Sequence, residues 1–182
     1  MKKHFMIFAL ICSIFCIQLS ASADDHKSRH DKHEKRHSGD SFDKSVPLIK
    51  SDTYTEACGK CHFSYPAALL NANSWVAIID NSEDHFGESL GLDSSESEEI
   101  KNYLRNNSAE NSKGEIAHDI SKNLGSRVVS RIIDVPEIRK EHKDISQDIL
   151  SRPSIGGLSN CIACHRRAAE GFFDDDNVII PN

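Results

Sequence analysis

Apolar positions in this chain fall in short clusters with helical spacing, and few stretches alternate in the manner of strands. Trp75 to Ile79 forms one compact apolar turn, with Ser74 before it as a cap. Ser95 and Glu98 have the spacing of a capping box, and the helix they would open carries Ile100, Tyr103 and Leu104 on one side. Ile116, Ile120 and Leu124 repeat at helical intervals. Asp134 and Pro136 suit a helix start. After them Ile138, His142, Ile145 and Ile149 lie on one stripe, with Arg139, Lys140, Glu141 and Lys143 on the polar side. The pattern predicts helices over 58–70, 74–82, 96–106, 115–130, 136–149 and 161–170 with little sheet, a mainly α fold.

The two ends of the pattern differ from this body. Phe5 to Leu19 is almost uninterruptedly apolar, follows Lys2 and Lys3, and precedes Ala21-Ser22-Ala23. A basic start, a short apolar core and a small-residue cleavage site make a secretory signal, assigned to residues 1–23. The run is too short to cross a bilayer comfortably, and no other apolar run is long enough for a permanent span. Residues 24–45 are polar, with six acids and six bases. They include His26, His30, His33 and His37, spaced to share one helix face. With little apolar material to hold it, this segment reads as a disordered extension, and metal binding or haem ligation by the tail is the alternative. Globular composition begins at Val46. We divide the remainder into an N-terminal unit, 46–112, and a C-terminal unit, 113–182.

Cysteine placement supplies the chemistry. Cys58-Gly59-Lys60-Cys61-His62 and Cys161-Ile162-Ala163-Cys164-His165 both read C-x-x-C-H, the attachment signature of c-type haem. Two thiols about one helical turn apart can add to the two porphyrin vinyl groups, and the adjacent histidine then lies under the iron. Cys12 and Cys16 leave with the signal, so the four remaining cysteines all belong to these motifs. None is left for a separate disulfide. A zinc site built from two C-x-x-C knuckles is the competing reading. It leaves both motif histidines unexplained and separates the knuckles by about 100 residues. Two covalently attached haem c groups are therefore expected, on Cys58, Cys61, Cys161 and Cys164, with His62 and His165 as iron ligands.

Methionine, the usual sixth ligand of electron-transfer c cytochromes, occurs only as Met1 and Met6. Outside the motifs, the body offers His85, His118 and His142. His118 falls about 200° round the helix from Ile116, on the polar side, and reads as a solvated residue. His142 sits within an apolar stripe, where an unpartnered ring nitrogen is costly. An iron in need of a ligand accounts for it better than a core hydrogen bond does.

These residues resemble a known family, the small secreted dihaem c-type cytochromes called dihaem cytochrome c. The likeness runs through Tyr65-Pro66, Leu69-Leu70, Trp75, His85-Phe86-Gly87-Glu88 and Ile100-Lys101-Asn102-Tyr103-Leu104 in the first half. In the second half it runs through Arg131-Ile132, Pro136, Lys140-Glu141-His142, Asn160, Gly171-Phe172-Phe173-Asp174 and Ile180-Pro181. It covers roughly residues 54 to 181, with Ala67 standing where the family pattern has a second proline. The resemblance implies two small helical haem-binding units, the first similar to a reduced monohaem cytochrome c. It also implies two histidines on each iron, pairing His62 with His85 and His165 with His142. The implied role is electron transfer in the periplasm, between a membrane cytochrome b and a soluble periplasmic haem protein.

Charge adds two expectations. Removing the signal takes the net charge from −6 to −8, which argues against a nucleic-acid partner. Residues 46–112 sum to −7 and residues 113–167 to +3, with eight acids and no base from Asp80 to Glu99. Negative surroundings favour the ferric state, so these sums predict the lower potential for the N-terminal haem. The acidic stretch also suits steering of a basic partner. Two haems with both axial positions filled make an electron carrier. A small haem enzyme, a peroxidase or reductase with one iron lacking its sixth protein ligand, is the alternative.

Overall fold

The computed structural model describes residues 45–182. The signal expected over 1–23 and, except for Ser45, the tail expected over 24–45 lie outside the described residues. Among these residues the protein is mainly helical, and β pairing is limited to isolated bridges. The helices are α1 (Asp52–Cys58), α2 (Ala72–Asp80), α3 (Ser94–Asn106), α4 (Glu115–Leu124), α5 (Pro136–Glu141) and α6 (Gln147–Leu150). Short 3-10 turns and irregular loops join them.

Capping chemistry sets several of the boundaries. Asn71, rather than Ser74, opens α2: its Oδ1 accepts from the Ser74 N–H at 2.9 Å. Its amide nitrogen donates to the Gly125 and Arg127 carbonyls, tying α2 to the end of α4. The capping box of α3 lies two residues earlier than the sequence spacing suggested. Asp93 accepts from the Ser95 and Glu96 N–H groups at 2.7 and 2.9 Å, and Glu96 reaches back to the Asp93 N–H at 3.0 Å. These bonds hold the Asp93 carboxyl below its ordinary range, the Glu96 N–H bond being the largest cause. A carboxylate depressed in the fold stabilises it above the unfolded pKa, and that contribution disappears as pH falls through the folded value. Asp93→Ala is therefore expected to lower the melting temperature at neutral pH, with the gap from wild type closing in acid below about pH 4.

The core is continuous across the sequence boundary at 112. Leu70, Ile79, Ile100 and Leu104 from the first half join Ile120, Leu124 and Val135 from the second, all essentially inaccessible to solvent. α2 and α3 pack on each other, α1 lies against α3, and α4 rests on α5. Tyr103 of α3 stacks 5.2 Å from Tyr54 of α1 and donates to the Ile49 carbonyl. The ends of the described chain also meet. The Val46 N–H donates to the Gly171 carbonyl at 2.8 Å, and Ser45 bridges Phe172.

Four expected helices are shorter or broken. No helix spans 58–70: α1 precedes the first cysteine pair and ends on Cys58, and Pro66, whose ring disfavours helix in the preceding residue, opens a single 3-10 turn at Ala67–Leu69. α4 stops at Leu124 rather than 130, because Gly125 turns the chain at φ +56°. The 136–149 helix ends at Glu141, and a turn closed by Ile145 N–H to His142 O separates α5 from α6. The segment 161–170 is two 3-10 turns, Cys161–Ala163 and Ala168–Glu170, ended by Gly171 at φ +85°. In the last two cases the chain lines a cavity, and this tertiary demand overrides the local period.

Candidate functional site

Two histidine pairs organise the molecule. In the first, His62 follows the turn after α1 and its Nδ1–H donates to the Phe63 carbonyl at 2.8 Å. A carbonyl only accepts, so this contact places the proton on Nδ1 and leaves the Nε2 lone pair free. Opposite stands His85, held in a tight turn by His85 N–H to Glu88 O at 2.7 Å and Glu88 N–H to His85 O at 3.3 Å. Asp84 accepts from the Gly87 N–H inside the same turn. Phe86 occupies the turn at φ +60°, a strained conformation for a non-glycine residue. Its ring lies 4.8 Å from His85, under the Arg131 guanidinium at 4.5 Å. The His62 and His85 ring centres are 6.3 Å apart.

The second pair repeats the arrangement. The Cys161–Ala163 turn continues with His165 N–H to Cys161 O at 2.8 Å, so the motif still completes one helix-like turn. His142, at the end of α5, donates from Nδ1 to the Ile138 carbonyl at 2.7 Å and likewise frees Nε2. Its ring centre is 5.9 Å from that of His165. Nδ1 of His165 is buried without a hydrogen-bond partner, so packing fixes this ring. Phe173 lies 5.5 Å away, and the C-terminal segment pairs alongside through the His165–Val178 bridge and Ile179 N–H to Cys164 O at 3.0 Å.

An apolar cavity of about 650 Å³ opens beside the second pair, within the range of small-molecule and cofactor sites. Ile138, His142, Ile145 and Ile149 all line it. The stripe read from the sequence therefore faces one space, although no single helix carries it. Tyr65 and Leu69, from before residue 112, line the same wall. A smaller cleft of about 260 Å³ lies beside His85 and Phe86. His118 is exposed on α4, as helix phase places it.

Electrostatics suit ligation. Burial first, and then the nearby His62, lowers the pKa of His85. Burial first, and then His142, lowers that of His165, with Asp175 and Asp174 opposing. Both favour neutral imidazole, the form that binds metals. Burial pushes the Cys58 and Cys161 thiols up to about 11. Among the described residues, no three His, Cys, Asp or Glu side chains converge as a metal cluster, so the zinc-knuckle reading finds no geometry. The regional charge sums also fail to describe the sites. Glu115, Asp119, Glu137, Glu141 and Asp175 line the second cavity although most come from the net-basic segment, and Lys140 there is paired with Glu137 and Glu141. Acids thus stand at the second site as well as in the stretch around His85.

The donor set at each motif fits a covalently attached haem: two thiols beside one histidine, with a second histidine facing it. Fold and sites together define a c-type haem protein with two centres. The family model for dihaem cytochrome c matches residues 54–173, and the chain belongs to that family. It carries two covalently bound haem c groups, and membership implies haem-based electron transfer. Among solved structures, the chain is similar to a dihaem c-type cytochrome from Shewanella baltica, at 32% identity and TM-score 0.60, over 74% of this chain and 96% of that one. It is similar to the dihaem cytochrome c of Rhodobacter sphaeroides at 33% identity and TM-score 0.59, over 69% and 98%. A further structure of that protein, purified from the same organism, gives 30% identity and TM-score 0.56, over 70% and 100%. No curated protein matches the chain significantly.

Several contributors escaped the sequence reading as such. The Arg131–Phe86 contact and the pairing of Val178 and Ile179 with the second motif join residues far apart in sequence, and no periodicity encodes them. Phe173 was legible only as part of the family pattern.

Proposed function

We propose that the protein is a periplasmic electron carrier whose two haems are each held between two histidines, His62 with His85 and His165 with His142. The observation that carries this reading is the separation within each pair. With metal–imidazole bonds of about 2 Å and ring nitrogens about 1 Å from the ring centre, two imidazoles on opposite sides of one metal have centres about 6 Å apart. The pairs stand at 6.3 and 5.9 Å.

Bound haem supplies an iron that cycles between ferric and ferrous states. The chain's residues do the remainder. Cys58, Cys61, Cys161 and Cys164 tether the groups. The carbonyls of Phe63 and Ile138 orient His62 and His142, and such bonds raise ligand basicity. Histidine in place of methionine lowers the reduction potential. Leu69, Ile120, Ile138 and Phe173 give the second site an apolar lining. Two histidines at each iron, His62 with His85 and His165 with His142, would leave no coordination site for oxygen, peroxide or substrate, which favours transfer over catalysis. The export signal and the family resemblance support a periplasmic location, with a membrane cytochrome b and a soluble haem protein as partners.

Carbon monoxide tests the reading. The reduced protein is expected to show the same spectrum with and without the gas. Ready binding at one haem would support instead a small peroxidase or reductase with an open iron.

A further inference from the structure

Tyr65 touches both centres. Its ring lies 5.1 Å from that of His62, tilted by 37°, and Phe63 packs edge-on against it at 5.5 Å. Its hydroxyl donates to the Ser159 carbonyl at 2.6 Å, across 94 residues of sequence and two residues before Cys161. The same ring forms part of the wall of the second cavity with Cys161, Cys164 and His165. Its own carbonyl accepts from the Tyr54 hydroxyl at 2.6 Å, and Tyr54 is buried in the core. Tyr65 is thus fixed at its backbone by α1, against the axial imidazole of one site by its ring, and to the attachment loop of the other by its hydroxyl.

We propose that Tyr65 is a positioning residue for electron exchange between the two haems, setting the His62 imidazole relative to the loop that carries the second haem. The proposal rests on the bis-histidine reading above. The step it concerns moves one electron: one iron is oxidised from ferrous to ferric as the other is reduced, with no proton and no third reactant.

The test uses the holoprotein with both haems attached. Tyr65→Phe keeps the ring and removes only the bond to Ser159. Tyr103→Phe removes a bond of the same kind, from a tyrosine hydroxyl to the Ile49 carbonyl at 2.7 Å, away from both pairs. Exchange is followed after photoreduction of the half-reduced protein, and the ferric electron paramagnetic resonance spectrum reports the orientation of the axial rings. Tyr65→Phe is expected to slow exchange several-fold and to shift the low-spin signal of the His62 haem. Tyr103→Phe is expected to leave both unchanged. Equal effects from the two variants, or no change in rate and signal for Tyr65→Phe, would overturn the proposal. Tyr65→Leu, which removes the ring as well, is expected to slow exchange further, and a rate equal to wild type there would also overturn it. A high-spin signal in the wild-type protein would instead refute the bis-histidine reading, so the two failures are distinguishable.

Discussion

Alanine at His142 is expected to convert one of the two irons to a high-spin, carbon monoxide-binding centre while the other keeps its low-spin spectrum. Among the described residues His142 is the histidine whose ring faces His165, at 5.9 Å, and the Nδ1 bond to Ile138 leaves its other nitrogen free. Among the described residues, the cavity lining holds no imidazole besides His142 and His165 to take the vacated place. His85→Ala is expected to do the same to the other iron, since His85 faces His62 at 6.3 Å from the strained turn at Phe86. His118→Ala is expected to change neither, because His118 points to solvent from the outer side of α4. Absorption spectra of the three variants, with and without carbon monoxide, separate these outcomes. A high-spin fraction in His118→Ala with none in His142→Ala would reverse the ligand assignment.

The second large effect is structural. Gly171→Ala is expected to destabilise the protein by about 3 kcal/mol and to lower the melting temperature by about 10 °C. Gly171 sits at φ +85°, where a side chain is strained, and an added Cβ would lie 2.4 Å from the Val46 carbonyl oxygen and 3.2 Å from Leu48. Relief requires the buried Val46 segment to move, which breaks the bond from its N–H to Gly171 O and loosens the chain that leads to Phe173 and the second site. Gly91→Ala serves as the comparison. It has a similar left-handed backbone, φ +61°, but open space round the new Cβ, so strain alone acts and a loss of about 1 kcal/mol is expected. Thermal unfolding of the two holoproteins measures the difference; equal losses would contradict the close-approach argument.

The chemistry of this chain was more legible in its sequence than its helices were. Two C-x-x-C-H motifs, a body without methionine and three spare histidines reduce the ligand question to a few residues before any coordinates are known. Covalent attachment demands a fixed spacing, so motif and mechanism coincide. Helix phase also placed His118 outside and gathered Ile138, His142, Ile145 and Ile149 on one face. What periodicity could not reveal is that the helix bearing that stripe ends at His142. The backbone turns at the cavity, and Ile145 reaches the same space from that turn and Ile149 from α6. The second attachment motif, whose cysteines and histidine line the same cavity, also departs from regular helix.

Charge was the least transferable signal. Summed along the sequence, acids seemed concentrated round His85. In three dimensions Glu115, Asp119, Glu137 and Glu141 gather at the other site, because α4 and α5 both turn toward its cavity. Linear sums describe a site only when neighbours in sequence are also neighbours in space. Tyr65 makes the same point for packing: it belongs to the first motif by sequence and to both sites by contact.

Near-infrared magnetic circular dichroism of the oxidised protein, normalised to haem content, tests the central claim most directly. The account predicts two low-spin ferric haems per chain, both with the charge-transfer band of paired imidazoles. A high-spin band, or a band from any other axial pair at either haem, would contradict it.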